Sequence, residues 1–326
     1  MEPAHHFKGL EDAIRSFMPT WLNEHQRISD DTLYHYTTHD GMKGIIESRN
    51  IRLTHSTSLN DPNEIIYGQS IIDSVLNESI AHETDHIRLE ILKAIQVQFD
   101  TFDFMDYDVF VACFCEKNNL LSQWRAYSDT GGGYCLGIKF TENTLMASSI
   151  DTLKNHKYLC LRKVIYGEDR QIALVEEYIR TIVPAIDTVL SQQQATDGHS
   201  PELSIMSIHA VNVLWDMLMT FKYEAYSEEL EWRIIYTANR KHEPQFLQFT
   251  PVGLYSNPYR AMSIYYEQND KLFFPIHSIT YGPSLYPPRI EASLDLFIKQ
   301  QSATQNSISI PEDIEIKNAG FRYRQK

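Results

Sequence analysis

The sequence predicts an α+β fold, built on a mixed or antiparallel sheet core with helical insertions. Three observations lead there. Short apolar runs rich in β-branched and aromatic residues recur at both ends of the chain, "TLYHYT" and "YDVFVACFCE" early, "LEWRIIYT" and "MSIYYE" late. Helical patterns do not alternate with these runs in the regular βαβ manner of a parallel doubly wound sheet. The two longest helical patterns, about 168–194 and 202–222, follow each other directly across the polar segment "SQQQATDGHSP".

Each element has its own signal. Leu10, Ile14, Phe17, Met18, Trp21 and Leu22 recur at helical spacing and predict an amphipathic opening helix. "TLYHYT" reads as a strand, Asp40 as the cap of a short helix over 41–48, and "NIRLTH" as a second strand. Pro62 cannot continue a ladder, so "STSLNDPNE" is a loop leading into a helix over 64–79, capped by Asp61 or Asn63, with another helix over 85–100. "YDVFVACFCE" is a buried strand, "NLLSQWRAYS" a helix, "DTGGG" a hairpin turn, and "YCLGIKF" and "KYLCLRKVIYG" are strands. After the helical pair come strands at "LEWRIIYT", "FLQFT", "MSIYYE" and "HSITYG". A helix over 288–300 and a last strand pair, "SISI" and "IEIKN", close the chain. No repeat and no linker divides it. The expectation is a single domain over 1–326 with a helical insertion at about 168–225.

Composition limits the partners. Hydrophobic residues make up 43% and charged residues 22%, which is enough apolar matter for a packed core and argues against disorder. Lys and Arg number 29 against 43 Asp and Glu, a net charge of −14 that disfavours sequence-independent binding to duplex nucleic acid. The N-terminal "MEPAHHFKGLEDAI" lacks the basic and apolar regions of a signal peptide, and no apolar run is long enough to span a bilayer. Cys113, Cys115, Cys135 and Cys160 show no C-x-x-C spacing and read as reduced, buried thiols. The expectation is a cytoplasmic protein with no membrane partner.

Several patterns bear on chemistry. "HETDH", His82 to His86, matches H-E-x-x-H, in which two imidazoles one helical turn apart bind zinc and the Glu acts as base. Its flanks are polar where a zinc helix needs apolar ones, so no metal is expected. "DTGGGY" precedes a strand and lacks the Lys and the helix start of a phosphate loop. There is no G-x-S-x-G elbow for a nucleophilic Ser. In "SEELEWRII", Glu231 stands beside Trp232 and Arg233 at the mouth of an apolar strand, either as a surface ion pair or as a carboxylate held in a fixed rotamer. "SQWRAY" sets Trp124 and Arg125 side by side on a helix whose aromatic face anchors in the core. In "LNDPNE" the turn and cap account for the geometry and leave Glu64 for another role.

Taken together, "LYHYT", "GIIES", "IRLTHSTSLNDPNE", "WRAYSDTGGGYCLGI", "YSEELEWRII" and "ITYGPS" resemble a large bacterial domain family of unknown function over about residues 32–285. The layout is similar, more distantly, to the ADP-ribosyltransferase fold, in which a His on the first strand, a middle aromatic and a Glu on a late strand line a cleft for NAD. That resemblance implies that NAD is used as a substrate, that the acceptor is a macromolecule or nucleotide or else water, and that the setting is bacterial stress or phage defence. It implies His35 on the ribose hydroxyls, and Tyr134 or Tyr36 stacked on nicotinamide. Glu231 would bind the nicotinamide ribose and stabilise the oxocarbenium-like charge as nicotinamide leaves. Arg233 or Arg52 would meet phosphate, and Asn60, Glu64 and Arg125 complete the expected cofactor set. The rival readings are a non-enzymatic nucleotide- or peptide-binding module and a metal hydrolase on His82, Glu83 and His86.

Overall fold

The computed structural model describes residues 9–14, 31–59, 63–101, 107–129, 132–141, 144–147, 159–192, 201–239, 246–252, 254–283 and 286–320. In chain order the elements begin with β1 (Asp31–Thr37), α1 (His39–Ser48), β2 (Asn50–His55), α2 (Glu64–His82), α3 (His86–Thr101), β3 (Tyr107–Cys115) and α4 (Leu121–Tyr127). There follow β4 (Tyr134–Phe140), β5 (Leu145–Ala147), β6 (Leu159–Lys163), β7 (Ile165–Tyr166), α5 (Glu168–Gln192), α6 (Pro201–Leu218) and β8 (Phe221–Lys222). The last group is β9 (Glu231–Asn239), β10 (Gln248–Val252), β11 (Tyr255–Gln268), β12 (Lys271–Phe273), β13 (Ile276–Tyr281), α7 (Pro287–Ala303), β14 (Ile308–Ser309) and β15 (Glu315–Asn318). The fold is α+β. Of the opening helix, only 9–14 falls within the described residues, where it is helical.

The chain divides into two compact units. One is helical and takes in α2, α3, α5 and α6 with the short parallel pair β7–β8, so the helical stretch expected at 168–225 is joined there by residues from much earlier in the chain. Its core is apolar side chains at helical spacing: Ile72, Leu76, Ile91, Ile95, Tyr178, Ile182, Ile186, Met206, Ala210 and Leu214. Gln171, fully buried, secures the two short strands to α5 by donating to the carbonyls of Ile165 (2.6 Å) and Lys222 (3.0 Å).

The other unit is built on the sheet, whose main path runs β14-β12-β11-β2-β3-β1-β4-β13-β15. Most pairs are antiparallel; β13–β15 and β12–β14 are parallel. One face carries the main core, including Leu33, Phe110, Phe114, Leu136, Ile138, Trp232, Ile234 and Ile279, packed with Ile45 and Ile46 of α1 and Leu294 and Ile298 of α7. A smaller cluster of Tyr36, Cys115, Trp124 and Cys135 lies on the opposite face. Alternation along each strand produces this division, and directly opposed residues share a face: His35 pairs with Leu136, and Tyr36 with Cys135.

Four local expectations change. Thr38, not Asp40, caps α1: its Oγ1 accepts from the Gly41 amide at 3.1 Å. Asn63 sits at the N-cap of α2 without a side-chain cap bond, and Asp61 lies outside the described residues. The glycine turn does not close a hairpin, because β4 pairs with β1 and β13 and not with the preceding strand. Gly133 is required there by close approach, since a Cβ would stand 2.4 Å from the Thr37 carbonyl oxygen. Finally, β14 and β15 do not pair with each other; they take opposite ends of the sheet path.

Candidate functional site

The strands expected to carry the site meet around the C-terminal end of β3. β1 runs alongside β4 over its whole length but touches β3 through one pair only, Tyr34↔Cys115. Where β1 and β3 part, the His35 imidazole bridges them: its Nδ1 lies 2.9 Å from the Cys113 carbonyl oxygen, and its ring packs on Phe114 at 5.5 Å. On the other side of β3, the Glu116 amide donates to the Leu230 carbonyl just before β9. β1 and β2 take opposite edges of β3, and β9 pairs with β3 and lies beside β2, so β1 and β9 flank β3.

His35 is partly buried. Burial lowers its pKa, and the bond to Cys113 opposes that only in part, so the ring is neutral near pH 7. A carbonyl can only accept, so Nδ1 carries the proton and Nε2 presents a lone pair. This tautomer can accept a hydrogen bond from a hydroxyl or N–H group at Nε2.

Glu231 and Arg233 stand two apart on β9 and therefore share a face. Arg233 Nε donates to Glu231 Oε1 at 2.8 Å and Nη2 to Oε2 at 3.2 Å, a two-pronged pair with both residues almost fully buried. The pair is internal, not superficial. Trp232 points the other way, into the main core, and its Nε1 donates to Glu116 Oε1 at 2.9 Å. Alternation therefore sends Glu231 and Arg233 to the face away from Trp232, whereas His35 lies on the face of Phe114 and Leu136. The sheet brings the two strands together but directs His35 and Glu231 to opposite faces, which corrects the expectation that both side chains line one cleft.

The two candidate aromatics also separate. Tyr36 is buried edge-on against Trp124 (5.4 Å); its hydroxyl donates to the Lys117 carbonyl at 2.7 Å and accepts from the Leu120 amide at 3.1 Å, and burial raises its pKa strongly. Tyr134 shares the His35 face and packs against His39 at 5.6 Å. Arg52 is exposed between Ile51 and Leu53, which enter the main core; its guanidinium lies over Tyr259 at 4.7 Å. Arg125 is exposed on α4, beside fully buried Trp124. Among the thiols, Cys115 and Cys135 are buried, and burial lifts Cys115 to about 11, but Cys113 is exposed and Cys160 only partly covered, which corrects the reading of all four as buried.

Glu64 belongs to the helical unit. It pairs with Lys222 Nζ at 3.0 Å, both buried, at a cleft of about 230 Å³ lined by Asn63, Tyr67, Tyr223 and Tyr226. Asn60 lies outside the described residues.

The H-E-x-x-H pattern loses its geometry. His82 ends α2, Glu83 is extended (φ −74°, ψ 128°), and His86 begins α3. Asp85 caps α3 by accepting from the amides of Ile87 and Arg88, so the two imidazoles do not share a helix. Among the described residues no group of three or more His, Cys, Asp or Glu could hold a metal ion, and no helix is long and apolar enough to cross a membrane.

Residues 123–234, roughly a third of the chain, match the model of a family described as a protein of unknown function, DUF2971. The matched stretch starts just before Trp124 and Arg125 and ends just past Glu231, Trp232 and Arg233. No curated protein and no solved structure matches the chain.

Proposed function

We propose that this chain is an NAD-using enzyme of the ADP-ribosyltransferase type, serving bacterial stress or phage defence. It transfers ADP-ribose to a macromolecular or nucleotide acceptor, or hydrolyses NAD. The observation that carries the reading is the flanking of β3 by β1 and β9, which sets the first-strand His and the late-strand Glu one strand apart on either side. Neighbouring strands lie about 4.8 Å apart, so the two backbones are separated by roughly 10 Å, and because the two side chains leave opposite faces a dinucleotide touching both has to pass around the C-terminal end of β3.

The chemistry assigned to each residue follows from its surroundings. Glu231 carries the charge that stabilises the cationic sugar as the bond to nicotinamide breaks, an electrostatic role that is strongest for a carboxylate held away from water. Arg233 now neutralises that charge. A pyrophosphate drawing Arg233 toward itself would release the carboxylate as the ligand seats. His35 accepts a ribose hydroxyl at Nε2, and Tyr134, on the same face, is the better placed of the two aromatics to join it.

A second reading is a nucleotide-binding or sensor module without turnover. It is favoured by the engagement of Glu231, whose two oxygens both accept from Arg233. Titration calorimetry with NAD and measurement of nicotinamide release separate the two. An enzyme binds NAD and releases nicotinamide, and a module binds without release. Absence of both would end either NAD reading.

A further inference from the structure

A set of side chains that the reading above leaves unused meets at the end of β2. His55 ends that strand and caps the short 3-10 turn Ser56–Ser58. Its Nδ1 lies 2.8 Å from Thr57 Oγ1 and 3.3 Å from the Thr57 backbone nitrogen. A backbone N–H can only donate, so in the neutral ring Nδ1 is the bare nitrogen and Nε2 carries the proton. Nε2 donates to Asp108 Oδ1 at 3.2 Å.

The sheet builds this chain of contacts. β2 pairs with β3 through Thr54↔Val111 and His55↔Phe110, which brings Asp108 of β3 beside the ring. Phe110 packs edge-on against the imidazole at 5.2 Å and fixes its other side. The Asp108 and His55 side chains are 10% and 12% exposed, and Thr57 lies at the surface. Next to Thr57, the buried Ser56 hydroxyl has no hydrogen-bond partner among the described residues. A buried carboxylate, an oriented imidazole and an accessible hydroxyl are the parts of an activated nucleophile, recognised by geometry and not by sequence order.

We propose that Thr57 is a covalent nucleophile toward activated carboxylic esters, with His55 as its base and Asp108 as the positioning residue. Thr57 Oγ attacks the ester carbonyl carbon while its proton passes to His55 Nδ1. The bond from carbon to the leaving oxygen then breaks, and the departing alcohol takes that proton. The products are a Thr57 ester, the free alcohol and neutral His55. No oxidant or metal is needed, and the step does not depend on NAD.

The test is acetylation of the full-length chain by p-nitrophenyl acetate, read by p-nitrophenolate release, intact mass and peptide mapping. The expected result is one acetyl ester at Thr57, formed at least tenfold faster than in His55→Gln. Thr57→Ser keeps the reaction and Thr57→Val loses it with an unchanged circular dichroism spectrum. Asp108→Asn slows acetylation and removes the downfield Nε2–H proton resonance of His55. Acetylation of the wild type confined to lysines or Cys113, or a Thr57 ester formed equally fast in His55→Gln, overturns the proposal.

Discussion

Glu231 and Arg233 illustrate how a buried ion pair is costly to break from one side and cheap to replace. The fork of Arg233 satisfies both carboxylate oxygens away from water. Arg233→Met would remove two charge-assisted bonds from a buried carboxylate, so it should cost about 3–5 kcal/mol in denaturant unfolding. Adding Glu231→Gln to that variant should recover much of the loss, because a neutral amide is cheaper to keep buried than a carboxylate that has lost its guanidinium. His35 provides a test by pH. Its folded-state pKa is lowered, so the unfolded chain binds the extra proton first as pH falls below the ordinary imidazole value of about 6.5. The stabilising contribution is therefore complete above that pH and lost as pH drops through the folded pKa. The melting temperature of the wild type should fall more steeply between pH 7 and pH 5 than that of His35→Gln; equal slopes would contradict this. The Glu-x-Arg spacing was legible in the sequence, since period two on a strand puts both side chains on one face. What could not be read was burial, which depends on what covers that face. Nor could the His35–Cys113 bond be foreseen, because it forms only where two strands, distant in sequence, diverge.

Elements were most legible where one pattern persisted. α5 and α6 are long enough for helical spacing to dominate, and the apolar run of β3 has no competing helical period. Ends were less so: Thr38 and Asp40 are both good caps, and the choice fell to the one whose oxygen reaches the Gly41 amide. The H-E-x-x-H pattern misleads because Asp85 within it starts a new helix. α4 tests the packing account. Trp124 is fully buried, packs on Tyr36 and donates from Nε1 to the Asn118 carbonyl at 3.1 Å. Trp124→Ala should cost about 3–5 kcal/mol by chemical denaturation. The exposed neighbour Arg125→Ala should change stability by less than about 1 kcal/mol, the range of a surface contact. α1 is anchored differently, by Arg49 just past its end, whose guanidinium is buried and donates to both oxygens of Gln301 in α7 and to the Ile308 carbonyl of β14. Arg49→Ala should therefore destabilise by at least about 2 kcal/mol, through stranded acceptors and lost packing together. A change no larger than that of Arg125→Ala would show that the anchor is dispensable.

At the scale of the whole molecule, the α+β class followed from strand spacing, but the partition into two units did not. The helical unit gathers segments from three stretches of chain, and no shift in composition marks where the chain passes between units. Sheet order was hidden for the same reason: β14 and β15 look alike and lie close in sequence, yet each pairs with a different strand. Long-range pairing also sets β1 and β9 on either side of β3, and on that arrangement the functional proposal rests. Its central claim is that the Glu231 carboxylate stabilises the sugar cation formed as NAD loses nicotinamide. The most direct measurement is nicotinamide release from NAD by the purified chain, set beside Glu231→Gln, which keeps the side-chain shape and removes the charge. The account predicts release by the wild type and a loss of at least about a hundredfold in the variant, with NAD binding by calorimetry largely kept, as expected for an interaction made in the transition state. Equal release by the two proteins, or none from the wild type at saturating NAD, would contradict it.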